Sequence, residues 1–275
     1  MNVEQAVTFV ESSGKPAQIA LAHYAVERIS AEEALQAIAP HQRADGSWSG
    51  TDEDMPGDIS SISQTWVGLQ WLIWLHPAGD DPLQRTVEFL KRVQHPESFW
   101  DEPDEITAFN PPPWMQPGNQ DNQVWLTSAV CAKLKELGQQ DQVNFEQALE
   151  FLRLSWRADE RQFNDSTHPH WMALPLFHNS THAGDNEIEA GCRDRLVEAV
   201  EHNRLDPYDY PAVAHAAILA SDLDLFRRCM DKLEGFQQPD GGLMTHYGDQ
   251  HRANGTVELL FLLKRAHMLP ALPSA

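Results

Sequence analysis

Two kinds of helical stretch alternate along this chain, and that alternation restricts its fold more than any other feature. Pro and Gly divide the 275 residues into about a dozen helical stretches. One kind is amphipathic. Residues 81–94 put Leu83, Val87, Leu90 and Val93 on one stripe, with Arg85, Glu88, Lys91 and Arg92 elsewhere. Residues 142–155 do the same with Phe145, Leu149 and Leu152. Stretches 2–12, 31–42, 184–203 and 222–236 belong with them. A helix with one apolar stripe covers a core and faces water. The other kind is nearly uncharged around its whole circumference: 16–26, 58–77, 120–132, 166–178, 207–220 and 250–263. Such a helix is buried on all sides. Period-2 alternation of β-branched residues, the mark of strands, is missing.

The two kinds follow one another strictly, six times. The buried helices are expected to begin near residues 16, 58, 120, 167, 207 and 250, about 40–47 residues apart with one interval of about 62. A helix-hairpin period of that size marks a repeat architecture. An open stack needs polar caps at its ends, whereas six hairpins closed into a ring bury their inner helices without them. The expected fold is therefore all-α: an (α/α)6 toroid, a single domain over residues 1–275. The long interval holds an inserted proline-rich loop, residues 101–119, at the end of the ring where inner helices begin. A loop of this length reads either as a lid over a central pocket or as an insertion on the rim.

Composition excludes several classes of function. With 41 acidic against 20 basic residues the net charge is −21, a field that repels nucleic acid and anionic membranes. No apolar run approaches the roughly 18 residues that cross a bilayer. The first residues carry acids where a secretory leader carries bases, so a cytoplasmic protein is expected. Three dispersed cysteines, Cys131, Cys192 and Cys229, read as reduced, packed thiols. No glycine-rich phosphate loop, nucleophile elbow or His-Glu-x-x-His occurs, and no cofactor is expected. A homodimer is compatible with the sequence but not indicated by it.

The loops after the amphipathic helices repeat as well. They run Gln42-Arg-Ala-Asp45-Gly46-Ser-Trp48, Gln94-His-Pro-Glu-Ser-Phe99-Trp100, Trp156-Arg-Ala-Asp159-Glu-Arg-Gln-Phe163 and Gln237-Gln-Pro-Asp240-Gly241-Gly242. Asp-Gly supplies a turn with positive φ, and the Gln amide can serve orphan groups at a neighbouring helix end. On residues alone these loops are staples between hairpins. Gln-x-x-Asp-Gly-x-Trp also resembles the QW motif of squalene–hopene and oxidosqualene cyclases. Ser61-Ile-Ser63-Gln64-Thr65-Trp66 is similar to the stretch that opens inner helices there. The resemblance runs over residues 16–263 and extends to the toroid shared with protein prenyltransferases.

That resemblance implies a class II terpenoid cyclase-like enzyme, an isomerase that starts a cyclisation or isomerisation by protonating an apolar, isoprenoid-like substrate in the central cavity. The family's Asp-x-Asp-Asp motif has no intact copy here. Asn119-Gln120-Asp121-Asn122 is the nearest match by position and keeps only the middle carboxylate, the family's proton donor. On that carry-over Asp121 donates the proton and Asn119 and Asn122 orient it; the plain alternative is that Asp121 caps the following helix. Asp52-Glu53-Asp54 also resembles the motif, in a loop. Family members normally use two barrels, and this chain has room for one.

Alkene protonation needs a dry, protonated carboxyl, and aromatic faces to stabilise the cation that follows. Trp66, Trp114, Trp125, Trp171 and Tyr210 are the candidate cavity-shaping aromatics, with core packing as the alternative. His168, His170, Asp209 and His246 are expected at the same mouth, as substrate-contacting residues or helix caps. Different chemistry at this His/Asp cluster, metal-assisted included, is a further reading. The zinc set of prenyltransferases fails to carry over, because the cysteines lie away from these loops, and no metal is expected. A non-catalytic toroid that binds a lipid or docks on a protein stands beside the enzyme reading.

Overall fold

The computed structural model describes residues 1–51, 54, 58–75 and 81–268, and no β-strand occurs among them. The helices of both expected kinds are present, in the expected order. Four isolated β-bridges lie in loops: Gln42 with Trp48, Trp48 with Ser61, Arg157 with Gln162, and Gln237 with Leu243. The chain divides into two compact units, residues 39–195 and residues 1–38 together with the part from 196 onward.

In the unit that holds the N-terminus, the outward-facing helices are α1 (Val3–Ser13), α3 (Ala31–Ile38) and α11 (Leu223–Leu233). The nearly uncharged ones are α2 (Pro16–Ala25), α10 (Tyr210–Leu219) and α12 (Arg252–Arg265). Their starts are set locally. Asn2 Oδ1 accepts the Gln5 N–H at 3.1 Å, and Asp222 Oδ1 accepts the Leu225 N–H at 3.1 Å. Both satisfy amides that the first helical turn leaves open. Pro16 opens α2 with its φ already helical. α12 packs on α2, α1 and α10, and Leu21, Ala22, Val257 and Leu260 are fully buried there. The start of the chain is thus seated on α12 and on the loop that holds Gln237. The Asn2 N–H donates to Gln237 Oε1 at 2.7 Å, and Gln237 Nε2 returns a bond to the Asn2 carbonyl at 2.8 Å.

In the other unit, α4 (Ile62–Leu75), α6 (Gln120–Glu136) and α8 (His168–Phe177) are the helices expected to be buried; α4 and α8 carry no Asp, Glu, Lys or Arg, whereas α6 carries charges at its two ends, and α6 packs between the other two. α5 (Asp81–Val93) and α7 (Phe145–Ser155) are the amphipathic partners. α9 (Asp185–Glu201) begins in this unit. α4 starts at Ile62, later than the expected 58. Glu102, buried and distant in sequence, supplies its cap: the Ile62 and Ser63 N–H groups each donate to it at 2.9 Å, and Ser61 Oγ at 3.1 Å.

The repeated loops share one bonding scheme. Gln42 Nε2 donates to the Pro82 carbonyl at 2.7 Å and to Thr86 Oγ1 at 2.9 Å, both on the next amphipathic helix. Gln94 accepts the Asn144 N–H at 3.0 Å, just before α7. The aromatic or apolar residue closing each loop then bonds the next uncharged helix through its N–H: Trp48 to Thr65 Oγ1, Trp100 to Thr127 Oγ1 and Leu243 to Thr256 Oγ1, at 3.2, 3.0 and 2.9 Å. In the fourth loop Phe163 donates instead to His170 Nε2 at 3.2 Å.

The 101–119 loop folds back on its own unit. It forms short 3-10 turns at Asp104–Phe109 and Pro113–Met115. Ile106 and Met115 are fully buried and form a small cluster with Ile59. Asp101 Oδ2 ties its far end, accepting from the Gly118 N–H and from Gln123 Nε2 at 2.8 Å each.

Candidate functional site

The residues that the motif comparison singled out lie at the start of α6. Asn119 Oδ1 accepts the Asp121 N–H at 2.9 Å, so Asn119 is the helix cap. Asn122 is buried and its Nδ2 donates to the Gln116 carbonyl at 2.8 Å, holding the proline-rich loop. Asp121 is exposed in the first turn, where the helix dipole favours a negative charge. The dry surroundings that a proton donor to an alkene requires are not found around it. Asp52 and Glu53 lie outside the described residues.

The candidate tryptophans fall in two places. Trp66 on α4 meets Trp125 on α6 edge to face at 5.9 Å, and Trp114 of the loop meets Trp125 at 5.7 Å. Lys133 lies 6.0 Å over the Trp66 ring and donates to Gln70. The indole N–H groups of Trp66 and Trp125 are buried without a hydrogen-bond partner among the described residues. Trp171 packs on His168 at 4.5 Å, and its N–H is likewise unpartnered. His168 bonds Ser166 Oγ at 3.0 Å, and desolvation pulls its pKa down to about 4. His170 is fully buried and held at about 3 by desolvation and by the Arg195 charge. Its Nε2 serves the loop staple, standing where threonine stands in the other three.

Glu102 is a buried acid of this unit. Burial raises its pKa against the pull of the hydrogen bonds from Ser61, Ile62 and Ser63. Those donors occupy both its oxygens, and its geometry is that of a helix cap.

A different acid gathers the chemistry in the unit that holds both chain ends. Pro207–Asp209 form a 3-10 turn that leads into α10. Asp206 shapes it, its Oδ1 accepting the Tyr208 N–H at 2.9 Å. Asp209 is 4% exposed. Tyr247 Oη donates to its Oδ2 at 2.8 Å from the loop before α12. Desolvation, with a contribution from the Asp206 charge, pushes Asp209 up to about 7 against the Tyr247 hydrogen bond. Near pH 7 this carboxyl keeps a substantial protonated fraction, unlike an ordinary aspartate. The rings of Tyr208, Tyr247 and His251 pack on one another edge to face, at 5.8, 6.0 and 6.3 Å, and the Tyr247 hydroxyl joins this group to Asp209. Tyr208 Oη accepts from Asn254 Nδ2 at 2.6 Å and lies 3.5 Å from Glu258 Oε1.

Two expected site residues stand near this cluster without entering it in the same way. His246 is largely exposed; its N–H donates to Asp206 Oδ2 at 2.7 Å and its Nδ1 lies 3.2 Å from the same oxygen. Tyr210 is fully buried against Phe236 at 5.1 Å, its hydroxyl without a partner among the described residues. Tyr247, Asn254 and Glu258 were not singled out by the sequence. The available signal was Asn254 and Glu258, two polar residues four apart in the first half of the helix, and so on one face.

Among the described residues no group of three or more His, Cys, Asp or Glu is placed to hold a metal ion. The thiols of Cys131, Cys192 and Cys229 are buried and pushed up by desolvation. None of the described helices is long and apolar enough to cross a membrane. A surface depression of about 390 Å3 lies between Gln238, Asp240, Met244, Asp249 and Arg252, bridged by the Arg252–Asp240 ion pair at 2.7 Å.

No family model and no curated protein sequence matches the chain. Solved structures do. A protein from Actinoplanes is similar over 96% of this chain and 98% of its own, with a TM-score of 0.60 and 15% identity. A type II terpene cyclase from Scytonema, in complex with its substrate geranylgeranyl dihydroxybenzoate, is similar over 97% of this chain and 88% of its own, with a TM-score of 0.59 and 12% identity. At these identities the likeness is one of fold: the chain has the all-α, terpene cyclase-like fold expected from its alternating helices. The structure that carries the name of a type II terpene cyclase is thus matched over 88% of its own chain by a chain of this size.

Proposed function

We propose that the chain is a terpene cyclase-like enzyme that protonates an alkene of an apolar, isoprenoid-like substrate, with Asp209 in the role that the motif comparison gave to Asp121. The observation that carries this reading is a nine-tenths-buried carboxyl, pushed up to about 7 and hydrogen-bonded by Tyr247, one of three aromatic side chains packed on one another. The Asp209 O–H proton passes to an alkene carbon, leaving a carboxylate and a tertiary carbocation. A neighbouring double bond attacks the cation, and loss of a proton ends the sequence with no net change in composition. The ring faces of Tyr208 and Tyr247 offer cation–π stabilisation. Tyr247, hydrogen-bonded to the carboxylate and half-exposed, links it to solvent for reprotonation. Trp66, Trp114 and Trp125 keep a separate proposed role, as an aromatic surface for an apolar chain, on which the role of Asp209 does not depend.

One observation favours a second reading, a non-catalytic lipid carrier: the position that matches the family's donor, Asp121, is exposed. Incubation of the full chain with farnesyl, geranylgeranyl and squalene-type polyenes, with and without an aromatic head group, separates the two. Cyclised product is expected from the wild type and from Asp121→Asn, with a loss of about 100-fold or more in Asp209→Asn, as for removal of a general acid. Full activity in Asp209→Asn overturns the assignment. Absence of product from every substrate, with a lipid retained through purification, supports the carrier.

A further inference from the structure

We infer that the Asn254 corner of this cluster receives the polar end of the ligand, and that this end is an uncharged hydroxyl rather than a diphosphate. The inference rests on the reading of the Asp209 cluster as a ligand site and adds to it the chemistry of what binds. Asn254 lies one turn into α12 and is 7% exposed. Its Nδ2 faces two oxygens, Tyr208 Oη at 2.6 Å and Glu258 Oε1 at 3.4 Å, which fixes the orientation of the amide. That leaves Oδ1 buried with no hydrogen-bond partner among the described residues. Buried acceptors almost always have a donor. A ligand O–H is the group that supplies one.

The neighbouring charges decide between head groups. Asp206, Asp209 and Glu258 all bring oxygens to the cluster. A diphosphate needs arginine, lysine or a metal ion to hold it. Arg252 and Lys264 of α12 are engaged elsewhere, Arg252 with Asp240 at 2.7 Å and over the Phe9 ring at 4.6 Å, Lys264 with the Tyr24 carbonyl at 3.0 Å, and Arg265 lies at the far end of the helix, two turns beyond Glu258. No metal-holding group is present among the described residues. A net charge of −21 adds a long-range penalty for any anion. Acceptors without a cation accommodate a neutral donor.

The test is equilibrium binding to the full chain, by tryptophan fluorescence, of geranylgeraniol, its methyl ether and geranylgeranyl diphosphate. The alcohol is expected to bind about 10-fold or more tighter than the ether, the value of one donor offered to a buried acceptor, and the diphosphate is expected to bind weakest. Asn254→Leu is expected to erase the alcohol–ether difference and Asn254→Asp to keep it. If Asn254→Leu does not fold, the order of the three ligands on the wild type decides. A diphosphate that binds tightest, an alcohol–ether difference that survives in Asn254→Leu, or no binding of any of the three overturns the inference. The expected order without any turnover leaves the head-group site standing and removes only the catalytic reading. Product formed from another polyene, with none of the three bound, does the reverse.

Discussion

At the scale of single residues, Asp209 differs from every other acid discussed above in what surrounds it. Burial raises its pKa, the Asp206 charge raises it further, and the Tyr247 hydroxyl opposes both, with about 7 as the result. An unfolded aspartate titrates near about 3.9. Between those values the folded chain holds a proton that the unfolded chain has released, so this group's contribution to stability is greatest below about pH 4 and falls as pH rises through about 7. Activity that uses the acid form follows the same direction: kcat/KM is expected to decline above about pH 7. Tyr247→Phe removes the bond that favours the carboxylate, so its alkaline limb should lie at higher pH than the wild type's. A limb unmoved in Tyr247→Phe assigns it to another group. The sequence placed Asp209 at the mouth but gave the acid role to Asp121. Motif position fixes where a residue falls along a helix. Burial is fixed by what packs on it, and Tyr247, which bonds Asp209, comes from the loop before α12.

At the scale of elements, the kind of each helix was legible because it rests on where charges fall around one turn, a local property. Helix starts were legible where the cap is local, as at Asn2 and Asp222, and not where it comes from far along the chain, as Glu102 does for α4. The Gln–aromatic loops read as staples, but their acceptors could not be read in advance. Thr86 is the clearest of these. Fully buried, it accepts from Trp48 Nε1 at 2.8 Å and from Gln42 Nε2 at 2.9 Å, and donates to the Pro82 carbonyl at 2.8 Å. Thr86→Val keeps the volume and removes the acceptor. The buried Trp48 N–H is then orphaned, at a cost of about 1–3 kcal/mol. Urea denaturation should show that loss in Thr86→Val and little in Thr86→Ser. Equal stability of Thr86→Val and the wild type would mean that the staple is idle. His170, expected as a mouth-lining histidine, occupies the staple position held elsewhere by Thr65, Thr127 and Thr256, and no local pattern distinguishes the two uses.

For the chain as a whole, the all-α class followed from the repeat of hairpins, whereas the seat of its start on α12 and on the Gln237 loop had to be seen. Gly241 lies against α1 at φ +95°, where a Cβ would come within 2.1 Å of the Gln5 carbonyl oxygen. Gly118 has a similar conformation, φ +76°, with nothing within 4 Å of its would-be Cβ. The pair separates two costs that a single substitution confounds. Alanine at either position bears the left-handed backbone penalty, about 1–2 kcal/mol. Only at Gly241 must the backbone of α1 also shift, which adds roughly the 1–3 kcal/mol typical of overpacking. Because α1 packs on α12, which carries Asn254 and Glu258, the extra loss should come with weaker ligand binding in Gly241→Ala and with unchanged binding in Gly118→Ala. Denaturation midpoints and binding measured on both variants check this. Equal losses of stability would show that the seat of α1 against the Gln237–Gly242 loop contributes nothing beyond backbone conformation, and that α12 holds the site without support from the start of the chain.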